Sequence, residues 1–267
     1  MKIFRHCIAL LKLVIIWNNS LQLMFISLLL LISTSLFSNV YNNRSVEPSY
    51  FHGAWEMKKD DLKTVKIFTS GYFIYSTYNL TDNTFIEAGG GTWEMTSDGI
   101  IEKYEFQTSN PDWVSEEIVY SFTGDHDKMP LSLAVKKNGK SIEEVWTKID
   151  DGNSPLFGAW RITQRERNGE MGAMQQGPRK TMKVLSGTRF QWAAFNVETR
   201  EFSGTGGGTF TTKDGKYTEN IEFFSRDNSR VGASLEFDFS VEGKYWHHQG
   251  LSSRGEPIYE IWENQDQ

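Results

Sequence analysis

The stretch Gly206-Gly207-Gly208-Thr209 repeats the stretch Gly89-Gly90-Gly91-Thr92 at an offset of 117 residues. Many further positions match in this one register, so the chain contains two copies of one structural unit. The further matches place Lys66-Ile67-Phe68 on Lys183-Val184-Leu185, Phe73 on Phe190, Tyr75 on Trp192, Glu102 on Glu219, Phe106 on Phe223, and Ile118 to Phe122 on Leu235 to Phe239.

The ends of the two copies carry shared signatures of their own. Each copy opens with Gly-Ala-Trp, at Gly53 and at Gly158, and closes with glutamate, an aliphatic residue and tryptophan, at Glu144 and at Glu260. The polar stretch between the copies has the composition of a linker. We therefore expect a leader over 1–38, a flexible lead over 39–52, a first domain over 53–150, a linker over 151–156 and a second domain over 157–267.

Apolar and polar residues alternate within both copies, which is typical of strands with one buried face. Leu235, Phe237 and Phe239, for example, alternate with charged or polar residues. Short connections favour an up-and-down antiparallel topology, and eight strands can close into a barrel without exposed edges. The fold class is therefore all-β, with two tandem eight-stranded barrels. In the first copy the strands are expected at 53–57, 64–69, 71–78, 85–95, 99–106, 116–123, 131–137 and 141–149.

The triple glycine lies inside the fourth strand of each copy. Glycine in a strand usually marks a bulge, a sharp bend at a barrel corner or a close backbone approach, and we expect a corner bend here. A phosphate-binding loop would need a helix to follow. Because Thr209 to Lys213 has the pattern of a strand instead, nucleotide binding is not expected.

The first 38 residues have the pattern of a secretory signal peptide. Lys2, Arg5 and Lys12 give a basic start, and the apolar run Leu23 to Phe37 is followed by Ser38. The run is shorter than the roughly 20 residues that span a bilayer, although an uncleaved membrane anchor stays an alternative. We expect a secreted or periplasmic protein whose mature form has no membrane contact unless the leader is retained.

Charge and cysteine content limit the partners of the mature chain. Beyond residue 38 there are 25 basic and 34 acidic residues, a net charge of −9, which argues against nucleic acid as a partner. The single cysteine, Cys7, lies in the leader, so the mature chain has no disulfide. The histidines His247 and His248 are adjacent on a predicted strand and point to opposite faces, and no metal or other cofactor is expected.

The second copy resembles a lipocalin-like (calycin-type) family of secreted bacterial proteins of unknown function. The resemblance covers Gly158-Ala159-Trp160, Met182-Lys183-Val184, Gly206 to Phe210, Tyr217 to Phe223 and Tyr259 to Trp262. The first copy is more divergent but keeps Gly53-Ala54-Trp55, Gly89 to Trp93 and Glu144-Val145-Trp146. The resemblance implies a small barrel and an exported protein, and it carries no catalytic residues over to this chain.

Two glutamates, Glu102 and Glu219, fall on the predicted barrel interior. A carboxylate there must be hydrogen-bonded, paired or neutralised. We expect a buried network in which each glutamate accepts from a tryptophan indole or a backbone amide. Contact with a ligand and general acid–base catalysis, with Tyr217 or Arg189 beside Glu219, stay open as alternatives.

Aromatic residues are plentiful, and most fall on predicted core positions. Trp192, Arg189, Trp246 and His248 combine aromatic and polar groups near predicted strand ends and are the further candidates for ligand contact. The second copy also has 12 extra residues between its tryptophan and its second strand, within the polar stretch 164–178. We expect this stretch to be a long loop at the mouth of the barrel, either functional or only mobile.

Three functions are consistent with these observations. The favoured one is an exported, non-catalytic binding protein whose partner is a small amphipathic molecule or a glycan. The first alternative is an enzyme that uses Glu219. The second is a structural or adaptor protein of envelope or polysaccharide-uptake machinery, which a solidly packed barrel interior would favour.

Overall fold

The computed structural model describes residues 47–97, 99–123, 131–137 and 140–266. The expected leader, 1–38, and the first part of the expected lead lie outside the described residues. The described chain consists of two antiparallel barrels in tandem, with three short 3-10 turns and no α-helix among the described residues.

The first barrel is closed by eight strands in sequential order, with β1 pairing with β8. All eight strand predictions are confirmed, with ends within two residues of those observed. The strands are β1 (Gly53–Lys59), β2 (Leu62–Phe68), β3 (Tyr72–Asn79), β4 (Phe85–Thr96), β5 (Gly99–Gln107), β6 (Glu117–Phe122), β7 (Leu131–Lys137) and β8 (Lys140–Asp150).

The second barrel repeats this order and closes where β9 pairs with β17. One additional strand, β10, pairs only with the far end of β9. The strands are β9 (Gly158–Arg167), β10 (Glu170–Ala173), β11 (Arg179–Leu185), β12 (Arg189–Asn196), β13 (Phe202–Lys213), β14 (Lys216–Phe224), β15 (Ser234–Glu242), β16 (Tyr245–Leu251) and β17 (Pro257–Asn264).

The extra residues of the second copy are not simply a long loop, as the sequence suggested. Gln164 to Arg167 and Glu170 to Ala173 form a hairpin at the far end of β9, where Gln164 and Arg165 also pair with β17. Its turn is Asn168-Gly169, and both residues have positive φ angles, 55° and 81°. Asn-Gly is the residue pair that a tight two-residue hairpin turn favours, so the sequence contains a local hairpin signal within this polar segment.

The glycine repeat produces a bulge in both barrels, where the sequence predicted a corner bend. The register shifts between Gly90 and Gly91, and again between Gly207 and Gly208. A Cβ atom on Gly91 would lie 2.0 Å from a backbone oxygen of the facing strand β5, and the same distance applies for Gly208 and β14. No side chain fits at these positions, which explains why both copies have glycine there.

The two barrels pack against each other through a pseudo-symmetric apolar contact. Phe106 stacks on Phe195 with ring centroids 4.6 Å apart, and Tyr78 stacks on Phe223 at 5.2 Å. These pairs exchange under the 117-residue offset, which carries 78 onto 195 and 106 onto 223. Such a self-complementary arrangement is the pattern of a two-fold symmetric interface.

Polar links between the barrels follow the same exchange. Asp150, at the end of β8, accepts hydrogen bonds from Ser186 Oγ at 2.7 Å and from the amide of Gly187 at 3.0 Å. Asp266, just after β17, accepts from Thr69 Oγ1 at 2.9 Å and from the amide of Gly71 at 3.1 Å. The last aspartate of each barrel thus binds the turn after the second strand of the other barrel.

Candidate ligand cavity in the second barrel

Each barrel encloses a buried ion pair. Lys66 Nζ lies 2.7 Å from Glu102 Oε1, and Lys183 Nζ lies 2.7 Å from Glu219 Oε1. All four residues are buried. The two glutamates are therefore inside the barrels, where the alternation of the strands predicted them, but their partners are lysines and not indoles or backbone amides.

A tyrosine hydroxyl also donates to each glutamate, from opposite sides in the two barrels. Tyr104 donates to Glu102 Oε2 at 2.9 Å, and Tyr217 donates to Glu219 Oε1 at 2.8 Å. Burial raises the pKa of both tyrosines, so both remain neutral donors. Burial also raises the pKa of Glu102, and the ammonium group of Lys66 opposes this rise.

Aromatic rings surround each lysine. Lys183 Nζ lies 5.3 Å from the ring centroids of both Trp246 and Trp262, and 5.5 Å from that of Tyr217. Lys66 Nζ lies 4.6 Å from the ring of Tyr120 and 5.1 Å from that of Trp146. Contact with the negative faces of these rings offsets part of the cost of burying the ammonium group.

The space around the ion pair differs between the barrels. The second barrel contains a cavity of 270 Å³, whereas the corresponding space in the first barrel is 50 Å³. The larger value is close to the lower end of the range of about 300–1,000 Å³ that is usual for small-molecule sites. The cavity lies among Lys183, Trp192, Glu219, Ile221, Phe224, Arg230, Ala233, Leu235, Phe237, His248, Ile258, Glu260 and Trp262, with Arg165, Thr181, Ser252 and Ser253 at its edge.

Two replacements account for the extra space. Tyr104 lies opposite Gly91 in the first barrel, and the residue opposite the equivalent Gly208 is Ile221. Trp113, whose ring lies 5.7 Å from that of Tyr104, corresponds to Arg230 by the same offset. Two aromatic side chains that fill the first barrel are thus absent from the second.

His248 is a polar residue of the cavity wall whose ring nitrogens are not hydrogen-bonded. The side chain is 2% exposed. His248 lies opposite Glu260, and the residue opposite the equivalent Glu144 of the first barrel is Leu133. Nδ1 lies 3.5 Å from Glu260 Oε2 but makes no hydrogen bond there, and Nε2 has no partner among the described residues. Burial and the charge of Lys183 lower the pKa of His248, so the ring is neutral at pH 7 and offers one donor and one acceptor.

The candidate residues from the sequence have different positions. Glu219, Trp192 and His248 line the cavity. Tyr217 and Trp246 are fully buried beside it, with ring centroids 5.8 and 5.2 Å from that of His248.

The remaining two candidates lie away from the cavity. Arg189 lies at the contact between the barrels, where its Nη1 is 2.6 Å from Glu222 Oε2. Glu102 occupies the filled barrel.

Sequence reasoning missed four charged residues of this cavity. They are Lys183, Glu260, Arg165 and Arg230. A signal for Lys183 existed, because it matches Lys66 within an otherwise apolar block and has inward parity. Arg165 and Arg230 gave no such signal, since they occur only in the second copy.

Within the described ranges, no group of three or more histidine, cysteine, aspartate or glutamate side chains is arranged to hold a metal ion. In the same part of the chain, no helix has both the length and the apolar character to span a bilayer.

Comparisons with known proteins add one family match. Residues 45–155, which include the first barrel, match the family model described as Domain of unknown function (DUF4488). This match and the two eight-stranded barrels fit a calycin-like family of unknown function. No curated protein matches the chain.

Among solved structures, the chain has weak similarity to bacterial DNA polymerase sliding clamps. The Helicobacter pylori beta clamp bound to a DNA ligase peptide is 10% identical with a TM-score of 0.16, and the match covers 83% of this chain and 60% of the clamp. The Caulobacter crescentus clamp is 9% identical with a TM-score of 0.15, covering 83% of this chain and 79% of that one. Similarity at this level carries no argument about fold or function.

Proposed function

We propose that the protein is a non-catalytic binding protein that holds a small amphipathic molecule in the cavity of its second barrel. The observation that carries this proposal is the 270 Å³ cavity around the buried, incompletely hydrogen-bonded His248. A buried polar group without a partner costs about 1–3 kcal/mol, and a ligand that pairs with it would recover this free energy.

The walls of the cavity support an amphipathic ligand. Trp192, Leu235, Phe237 and Ile258 provide apolar surface that a ring or an acyl chain could cover. Most of the exposed cavity wall is apolar, and polar groups such as His248 and the Lys183–Glu219 pair complete it. A mostly apolar pocket with a small number of placed polar groups is the usual design of a small-molecule site.

A glycan on the outer surface has less support than a ligand in the cavity. Sugar rings stack on exposed aromatic faces, and Tyr245, at 38% exposed, is the sole aromatic among the large exposed hydrophobic residues of the described chain. A single half-exposed ring makes a poor platform, so the cavity is the preferred site.

The enzyme alternative also has less support. The carboxylate of Glu219 is held by both Lys183 and Tyr217, so it is paired rather than free to move a proton. The adaptor alternative applies best to the first barrel. Its interior is filled, and we propose that it serves as a structural support for the second barrel.

The proposed compartment is the exterior of the cell or the periplasm. This part of the proposal rests on the sequence of residues 1–38 alone. Expression of the full chain in a bacterial host, followed by fractionation and intact mass measurement, would test it. A chain that stays in the cytoplasm at full mass would contradict it.

The binding proposal can be tested by filling the cavity with the residue that fills the first barrel. Ile221→Tyr places a tyrosine at the position of Tyr104 and should abolish binding of a neutral fluorescent probe such as N-phenyl-1-naphthylamine. Ile86→Tyr is the matched control, because Ile86 is an exposed isoleucine of the first barrel. Titration followed by probe fluorescence measures both variants.

The outcomes separate clearly. Binding by the wild type and by Ile86→Tyr, with loss in Ile221→Tyr, supports the cavity as the site. Equal binding in all three proteins, or none in the wild type, would contradict it. Native mass spectrometry of the protein purified from its own host would then identify the natural ligand by its additional mass.

A further inference from the structure

A second and larger cleft lies beside the cavity, along the β9–β10 hairpin. It has a volume of 770 Å³ and is bordered by the hairpin and by the segment 174–179 that leads into β11. Four arginines line it, and no acidic residue does: Arg161, Arg165, Arg167 and Arg179. In a chain with a net charge of −6, this concentration of positive charge is a local exception.

Of these arginines, only Arg165 has an acidic partner within 4.0 Å among the described residues, and that partner is Glu260. Arg161 donates through Nη2 to the backbone carbonyl of Gly177 at 2.7 Å, which fixes the side chain but leaves its charge uncompensated. Arg167 and Arg179 are exposed and have no acidic partner within 4.0 Å among the described residues. A guanidinium group offers several donors in a plane and suits carboxylate, phosphate and sulfonate groups.

The cleft and the cavity adjoin each other. Arg165 and Thr181 border both spaces. Arg165 reaches this position because the pairing of β9 with β17 shifts register after Ile162, so that Ile162 faces Trp262 and Arg165 faces Glu260. Arg165 Nε lies 3.6 Å from Glu260 Oε1, a long contact that places the guanidinium group at the junction.

Arginine itself is distributed unequally between the two copies. Residues 158–267 contain nine arginines, and residues 53–150 contain none, although both copies contain lysine. The hairpin that carries Arg165 and Arg167 is also specific to the second copy. The open barrel and the arginine cleft therefore occur together, which is expected if they serve one ligand.

We propose that the ligand of the second barrel is an anionic amphiphile, with its apolar part in the cavity and its anionic head in the arginine cleft. This inference rests on the proposed binding function and specifies its ligand class. Arg165 marks the boundary between the two parts, while Arg167 and Arg179 bind the outer side of the head group.

Two fluorescent probes with the same body separate the two parts of the site. 1-Anilinonaphthalene-8-sulfonate carries a sulfonate, and N-phenyl-1-naphthylamine is the equivalent molecule without it. We expect Arg167→Gln and Arg179→Gln together to weaken sulfonate binding about tenfold or more, as the loss of charge-assisted hydrogen bonds implies, and to leave the neutral probe unchanged. Added salt should weaken only the sulfonate.

Arg200→Gln is the matched control. Arg200 lies between β12 and β13, makes only a long, exposed contact with Asp112, and borders neither space. It should leave both probes unchanged. Circular dichroism of each variant checks that the barrels remain folded.

Each remaining outcome contradicts a specific part of the proposed site. If both probes bind and the arginine variants weaken neither, the anionic head is wrong and the binding function stands. If the arginine variants weaken the sulfonate but Ile221→Tyr does not, the cleft binds anions alone and the combined site is wrong. If the wild type binds neither probe, both proposals fail together.

Discussion

The two barrels differ most clearly in one short segment of their fifth strand. In the first barrel it reads Ile100-Ile101-Glu102-Lys103-Tyr104, and in the second it reads Tyr217-Thr218-Glu219-Asn220-Ile221. Both segments place an isoleucine and a tyrosine on the inward face around the glutamate, and both tyrosines bind that glutamate. Their order is reversed, so one barrel is filled where the other is open.

This reversal shows that an interior can change from core to cavity within one barrel architecture. The ion pair keeps the same length in both barrels, and the strand order is the same. The tyrosine lies on the other side of the glutamate, Arg230 stands in place of Trp113, and His248 stands in place of Leu133.

The largest expected effect is the loss of a lysine from an ion pair. Lys66→Met leaves Glu102 buried without its counter-charge, and we expect the free energy of unfolding to fall by about 3–5 kcal/mol. Lys183→Met should cost less, because Glu219 borders a cavity into which water can enter. Urea unfolding of both variants measures the difference.

A double variant serves as the control for this prediction. Replacing Lys66 and Glu102 together by methionine removes both charges and should recover most of the lost stability. Burial raises the pKa of Glu102, so acid should also favour the folded Lys66→Met protein by protonating that carboxyl group. Equal losses for Lys66→Met and Lys183→Met would show that the cavity does not relieve the buried charge.

The next effect concerns the two aspartates that link the barrels. Asp150 accepts six hydrogen bonds, including those from Ala54, Gly152 and Thr188, whereas Asp266 accepts three. We expect Asp150→Ala to lower the free energy of unfolding by about 2 kcal/mol, with a smaller loss for Asp266→Ala. Thermal unfolding of the two variants tests this order.

The pH dependence of the two aspartates should have opposite signs. Burial opposes the ionisation of Asp150, but its hydrogen bonds hold the pKa below the ordinary value of 3.8. Its contribution is therefore present above pH 3.8 and is lost as the pH falls through the lowered pKa. Burial raises the pKa of Asp266, so its contribution is present below 3.8 and is lost as the pH rises through the raised value. Parallel pH profiles for the two alanine variants would contradict this assignment.

Local alternation and the internal repeat were sufficient to predict the fold. The strands of the first copy followed from inward positions such as Tyr104 and Phe106, because period-two burial is a property of the strand itself. The same parity placed Glu102 and Glu219 inside. A side chain's direction depends on its own strand, and the sequence contains that information.

The identity of the partners could not be predicted in the same way. Lys183 meets Glu219 across the barrel from a strand 36 residues away, and that pairing depends on the closure and stagger of the barrel. The cavity depends on which interior side chains leave space between them, and no local sequence pattern indicates this. The Asn168-Gly169 hairpin is different, since the Asn-Gly pair is a local turn signal. It predicts a hairpin, although the polar composition around it suggests a loop.

The smallest expected effect is a gain in stability on replacing the polar group of the open barrel by its counterpart in the filled one. His248→Leu introduces the residue type of Leu133 and removes the buried ring nitrogens, so we expect the free energy of unfolding to rise by about 1 kcal/mol at pH 7. Binding of the neutral probe should weaken only if the probe forms a hydrogen bond with the imidazole ring of His248.

The stability gained by His248→Leu should increase at acidic pH. This increase distinguishes the titration of the imidazole ring from improved packing. The pKa of His248 in the folded protein is held below 6.5 by burial and by Lys183, so in the wild type the unfolded chain takes up a proton first and stability falls as the pH drops below 6.5. His248→Leu lacks this loss, while His52, whose pKa is also lowered by burial, contributes equally to both proteins. The difference between wild type and variant, followed by urea unfolding from pH 8 to about pH 5, should therefore widen toward acid. A difference that stays constant with pH would mean that the imidazole is not desolvated, and His248 would then lose its place as the unsatisfied group that a ligand completes.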